Sequence, residues 1–134
     1  MADTGKTVSQ DVCTALLANT TIMGLVVARV YTKVPQNPIF PYIEVNVSSS
    51  DYSGMDFAGM EHTITVHCYS RKNSLDEAGN MRAAVYNVLN RAEATLTLSS
   101  GHLACINYNG VGYLGIDEDM VGHVGISQFQ AVVT

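Results

Sequence analysis

The chain has 134 residues, enough for one domain with a sheet and a few helices around a common core. It is 47% hydrophobic and 14% charged, a globular balance that excludes a disordered tail. Seven Lys and Arg against twelve Asp and Glu leave a net charge of -5, which excludes a protein that wraps nucleic acid by neutralising phosphates. A channel through which DNA slides stays compatible, because sliding favours few attractive phosphate contacts.

The first ten residues, "MADTGKTVSQ", carry no basic-then-apolar secretion signal. The longest apolar run, Ile22 to Ala28, is far short of the roughly 20 residues that span a bilayer. Cys13, Cys68 and Cys105 are odd in number and widely spaced, so the expectation is free thiols and assembly in a reducing cytoplasm. Val8, Val12, Ala15 and Leu16 keep the rhythm of an amphipathic helix and predict one from about Thr7 to Asn19. "GKT" at Gly5 to Thr7 lacks the earlier glycine and the preceding strand of a phosphate loop, and reads as a helix start. "NTTIMGLV" predicts a turn or a short second helix. Pro35, Pro38 and Pro41 then predict a bent connection between extended pieces. From Tyr42 to Ser48 the pattern alternates, with Ile43, Val45 and Val47 on one face.

"EHTITVHCYSR", Glu61 to Arg71, holds two histidines and a cysteine and invites a metal or nucleophile reading. Read as a strand, it places His62, Ile64, Val66 and Cys68 on one side and Thr63, Thr65, His67 and Tyr69 on the other. The two histidines then face apart, roughly 16 Å along the strand at about 3.3 Å per residue. Zinc needs ligand atoms at about 2 Å, so the pair does not share an ion. His67 and Cys68, as neighbours, diverge as well. No metal or catalytic residue is expected here.

The loop "DYSGMDFAG" joins the two strands into a long antiparallel hairpin. Its large apolar groups, Tyr52, Met55 and Phe57, together with Met60, either mark an assembly contact with another chain or fold back over their own sheet. Ser74 and Glu77 have the spacing of a capping box, with Asp76 favourable at the helix dipole. Met81, Val85, Val88, Leu89 and Ala92 trace the apolar stripe of that helix. "HLACINYN" and "GHVGISQFQAVV" predict two further strands.

Between those strands, "GVGYLG" at Gly110 to Gly115 matches the dinucleotide fingerprint, but no helical periodicity follows it. A glycine-rich hairpin is the expected form. Asp117, Glu118 and Asp119 form the densest charge cluster. Carboxylates in a short loop suit a divalent ion, but the calcium-loop pattern is absent, and a solvated turn is the expected form. The expected fold is α+β, one domain over 1–134: a mostly antiparallel mixed sheet with a long hairpin and two main helices packed on one face.

"VYTKVPQ" at Val30 to Gln36, Pro41-Tyr42 entering a strand, "EHTITVHCYSR" and the helix ending "VLN" occur in an order that resembles the tail terminator (tail completion) proteins of long-tailed bacteriophages and gene transfer agents. The resemblance covers roughly residues 8 to 92, with a looser echo in "GHVGISQFQAVV". It implies a non-enzymatic virion protein without cofactors, a homo-hexameric ring in the neck of the particle. That ring would cap the tail tube protein, end its polymerisation and meet the head-side connector or stopper. DNA would pass through the lumen without specific binding, and no membrane would be involved. Another connector or stopper neck protein is the nearer alternative. A small soluble enzyme or ligand-binding domain, with His67 or His102 as general base, is the more distant one.

Overall fold

The computed structural model describes residues 4–51, 59–72, 74–99, 101–116 and 122–134. In chain order these form α1 (Gly5–Leu17), α2 (Thr20–Val26), β1 (Val30–Tyr31), β2 (Tyr42–Asp51), β3 (Met60–Ser70), α3 (Asp76–Leu89), a 3-10 turn (Ala92–Ala94), β4 (Leu103–Ile116) and β5 (His123–Val133). No helix among the described residues is long and apolar enough to cross a membrane.

The amphipathic period builds α1 as expected, with Val8, Val12 and Leu16 buried one turn apart. Its start has no side-chain cap, because the Thr4 hydroxyl lies 2.8 Å from His62 Nε2 and is committed there. The second helix does form. Asn19 caps it, its Oδ1 accepting from the Ile22 amide at 3.0 Å, and the helix ends where Val27 and Ala28 turn to positive φ. The proline segment then leads into β2, whose Ile43 amide donates to the Arg29 carbonyl at 2.9 Å.

The sheet has the order β1-β2-β3-β5-β4. β1 is parallel to β2, and every other pairing is antiparallel. β2 and β3 form the long hairpin, in register from Tyr42 opposite Tyr69 to Asp51 opposite Met60. β5 sits between β3 and β4, so the last strand of the chain is an interior strand. Along β3 burial alternates residue by residue, as a strand with one face on the core requires. The inner face carries Ile43, Val45, Ile64, Val66, Cys68, Phe129 and Ala131, all buried, under α1 and α3.

Two local expectations are corrected. The Ser74–Glu77 capping box does not form: α3 begins at Asp76 with Leu75 at its N-cap. Glu77 instead turns to the end of β3, its Oε1 accepting from the Ser70 hydroxyl at 2.8 Å and its Oε2 lying 3.4 Å from Lys72 Nζ. Ser70 is buried, and a buried hydroxyl needs a partner, so the tertiary contact takes the carboxylate away from the helix start. Ser74 Oγ accepts from the Asp76 amide at 3.4 Å, only two residues ahead.

The second correction concerns "GVGYLG", which is not a hairpin. It runs inside β4, which shifts register between Tyr108 and Gly112 and continues to Ile116. Gly110 takes a φ of 83° within the bulge. A Cβ on Gly112 would collide with the Arg82 guanidinium and the Tyr108 hydroxyl, so the second glycine lets a side chain from α3 approach the backbone.

Candidate assembly surfaces

In the stretch Glu61 to Arg71 one histidine is committed to structure by hydrogen bonds and the other by ring packing. His62 is fully buried, with Nδ1 2.7 Å from Ser49 Oγ and Nε2 2.8 Å from Thr4 Oγ1. It joins the chain's N-terminal region to the hairpin. His67 lies on the opposite face, as the alternation predicts. Its ring stacks on Tyr69 at 5.9 Å between centroids, and its Nδ1 has no hydrogen-bond partner. His102 is exposed, and its backbone exchanges hydrogen bonds with Thr134 at 2.9 and 2.8 Å. Among the described residues no three His, Cys, Asp or Glu side chains converge as a metal site requires.

The outer face of the sheet has two parts. At one end an aromatic cluster gathers Tyr31, Phe40, Tyr42 and Tyr69, with the Arg71 guanidinium 4.4 Å from the Phe40 ring centroid. The rest is mostly a ladder of amides and hydroxyls, with Glu44 beside His67 and Glu61 at its far end. Thr63 donates to Gln130 Oε1 at 3.2 Å, Gln128 donates to Thr65 Oγ1 at 3.3 Å, and Asn109 donates to Gln128 at 2.6 Å. Gln130 also donates to the Glu61 carboxylate at the ladder's end. This face offers hydrogen-bonding surface with little charge.

The most apolar exposed strip of the sheet lies on β4, a strand whose place in the sheet the sequence pattern does not record. β4 is an edge strand, and beyond its bulge Val111, Tyr113, Leu114 and Ile116 are 55%, 49%, 37% and 53% exposed. Monomeric proteins blunt a long edge with lysine, proline or a covering element. Residues 109–116 contain no lysine, no proline and no charge of any kind. The first half of the same edge is covered. There the Arg91 amide donates to the Ile106 carbonyl at 2.9 Å, and the Tyr108 amide to Asn90 Oδ1 at 2.9 Å.

A shallow cleft of about 320 Å³ lies beside this strand, lined by Gly79, Arg82, Ala83, Tyr86, Tyr108 and Ser127. Arg82 closes its floor, donating from Nε to the Ile126 carbonyl at 3.0 Å and from Nη2 to the Tyr108 hydroxyl at 3.2 Å. The cleft holds no histidine, cysteine or carboxylate.

Of the residues singled out from sequence, Tyr52, Met55 and Phe57 lie outside the described residues, as do Asp117, Glu118 and Asp119. Met60 is buried in the chain's own fold, with its sulfur 3.5 Å from the Thr4 amide nitrogen. An assembly role for that loop therefore rests on its other three large groups.

The model of the tail completion protein gp17 family matches residues 10–134. The chain belongs to that family. As a tail completion protein it is a structural component of the bacteriophage tail, and so of the virion. No curated protein matches the chain. A solved chain from the virion of a native gene transfer agent particle is similar in fold, with a TM-score of 0.86 at 23% identity. That match covers 99% of this chain and 98% of the other. A second solved chain matches with a TM-score of 0.53 at 17% identity, covering 95% of this chain and 91% of its own. The family match extends beyond Asn90 through both C-terminal strands, where the sequence resemblance was looser.

Proposed function

We propose that copies of this tail completion protein close into a hexameric ring that caps the tail tube, ends its polymerisation and joins the tail to the head-side connector. The observation that carries this reading is the free end of β4, an uncharged edge strand with four exposed apolar side chains on a tail structural protein. A ring needs two different patches on each subunit, because its contacts are heterologous and close by rotation. The β4 edge supplies one patch. The loop bearing Tyr52, Met55 and Phe57 is the candidate for a second contact, with tube, connector or neighbour.

The ring leaves a channel for DNA, and its wall in this reading is neutral or acidic. A chain with five more acidic than basic groups builds such a wall readily, and Asp117, Glu118 and Asp119 are its candidate lining. The same reading makes the protein non-enzymatic, free of cofactors, and assembled in the host cytoplasm before joining the virion. Imaging of particles, together with the mass of the ring, tests it. Six copies at the head-side end of the tube are expected. A copy number of one, or a position at the tip of the tail, overturns the reading, and a ring seated only on the portal side makes it a connector or stopper.

A further inference from the structure

The two edges of the sheet are each covered over only part of their length, and the uncovered parts fit one another. On β2 the two residues of β1 pair with Ile43 and Glu44, and no strand among the described residues flanks the stretch beyond. The Ile43 amide points outward, to Arg29. By the alternation of an antiparallel strand, the backbone groups of Val45, Val47 and Ser49 face the same way. On β4 the Ile106 carbonyl and the Tyr108 amide point away from β5, towards Arg91 and Asn90. The bulge moves the partner on β5 from Phe129 to Ser127, two residues on, so Gly112, Leu114 and Ile116 keep that outward side. Among the described residues neither strip has a partner strand beyond the edge, and the local bonds on β4 are those of the Val111 amide to Asn109 Oδ1 at 3.0 Å and of the Tyr113 hydroxyl to the Ile116 carbonyl at 3.1 Å.

Strand direction completes the fit. β2 and β5 run one way, and β3 and β4 the other. When a second copy is placed beside the first by rotation, without inversion, its β2 lies antiparallel to the first copy's β4. Neither strip carries a charge: "VNVSSS" faces "NGVGYLGI". Pairing therefore desolvates no ionised group and meets no like-charge repulsion.

We propose that β4 of one copy, from Asn109 to Ile116, pairs antiparallel with β2 of the next copy, from Val45 to Ser50, so that the sheets join edge to edge around the ring. The open half of β4 lies level with the start of β2, because Leu114, Gly125, Cys68 and Ile43 share one row. The open part of β2 is centred near Ser48. The strip on β4 is centred at Gly112 and Tyr113, level with Val45 and Glu44, so successive copies are offset by about three residues, or about 10 Å along the strands. A stagger of fixed sign is what a closed sheet of tilted strands requires. The occupant of the β4 edge is thus a second copy of this chain, and the contact rests on the ring reading above.

Paired cysteines in assembled particles test it. In a Cys13→Ser, Cys105→Ser background, Tyr113→Cys is combined in turn with Asn46→Cys, Ser48→Cys and Ser50→Cys, which lie on the same outer face. Mild oxidation is expected to give, for at least one register, a ladder of covalent oligomers ending at the copy number of the ring. Tyr113→Cys with Ala83→Cys on α3 is expected to give none. Particles that hold the ring but cross-link in no register overturn the edge pairing and leave the ring reading standing. Particles holding a single copy overturn both. Separately, Val111→Lys with Ile116→Lys places charge on positions more than half exposed, so the monomer is expected to melt as the parent does while incorporation into tails falls at least tenfold. Parental incorporation of that variant overturns the proposal.

Discussion

The Arg82 guanidinium holds the Tyr108 hydroxyl at 3.2 Å, tying α3 to the residue after which β4 breaks register. Its Nε also takes the Ile126 carbonyl at 3.0 Å on the neighbouring strand. One side chain thus fixes where the free edge leaves the covered part of β4.

Arg82→Met keeps much of the packed stem and removes both hydrogen bonds. A loss of about 2 kcal/mol is expected, seen as a fall of roughly 5–10 °C in Tm. Hydrogen exchange should speed up most in residues 108–116. A melting point within a degree of the parent, with unchanged exchange, would show that the bulge is set by β4 alone.

Burial pushes the Cys68 thiol up to about 12, with the Arg82 charge acting weakly in the other direction. In the unfolded chain a thiol ionises near 8.5, so the folded value is the higher of the two. Stability from this group is whole below about pH 8.5 and is lost as pH rises towards 12, by about 1.4 kcal/mol per unit. Urea unfolding at pH 8, 9 and 10 should therefore show a flatter decline in Cys68→Ala than in the parent, although the variant starts lower. Parallel declines would contradict the buried neutral thiol.

Replacing Tyr52, Met55 and Phe57 together by serine tests the hairpin loop as an assembly contact. The variant monomer is expected to keep the parent's circular dichroism, while tail attachment or ring formation is impaired. Normal yields of infectious particles would remove the loop from the contact.

Changing Asp117, Glu118 and Asp119 to lysine tests the channel wall. If these groups face the lumen, particles assemble but eject DNA slowly, because the added cations attract phosphate. The defect should ease at high salt, where the attraction is screened within a few ångströms. Ejection at the parental rate in low salt would place the cluster away from the DNA.

The elements themselves were legible in the chain wherever a face is buried. The alternation through Glu61 to Ser70 and the stripe of Met81, Val85 and Leu89 both arise from one-sided contact with the core, which imprints a period on the sequence. Glu77 was misread because its partner, Ser70, is brought to it only by the packing of β3 against α3. Gly112 was misread because local sequence does not say whether a glycine serves a turn or the approach of a distant arginine. The exposed edge of β4 was invisible for a related reason. Which strand ends a sheet is decided by the order in which strands assemble, and no local pattern records that order. The resemblance to tail terminators, by contrast, rested on stretches whose order in the chain could be read directly.

The placement of β5 between β3 and β4 also has a consequence in time. The pairs from Met60 opposite Val133 to Ser70 opposite His123 join residues far apart in the chain. While the chain is being synthesised, the hairpin of β2 and β3 has one side without its neighbour until residues 123–133 leave the ribosome, and β4 has no strand to pair with at all. Closure of so many distant pairings is slow compared with helix formation. Between the emergence of β3 and that of β5 the nascent protein therefore has a hydrophobic strand margin open, and holding factors that cover such margins should matter most during that interval.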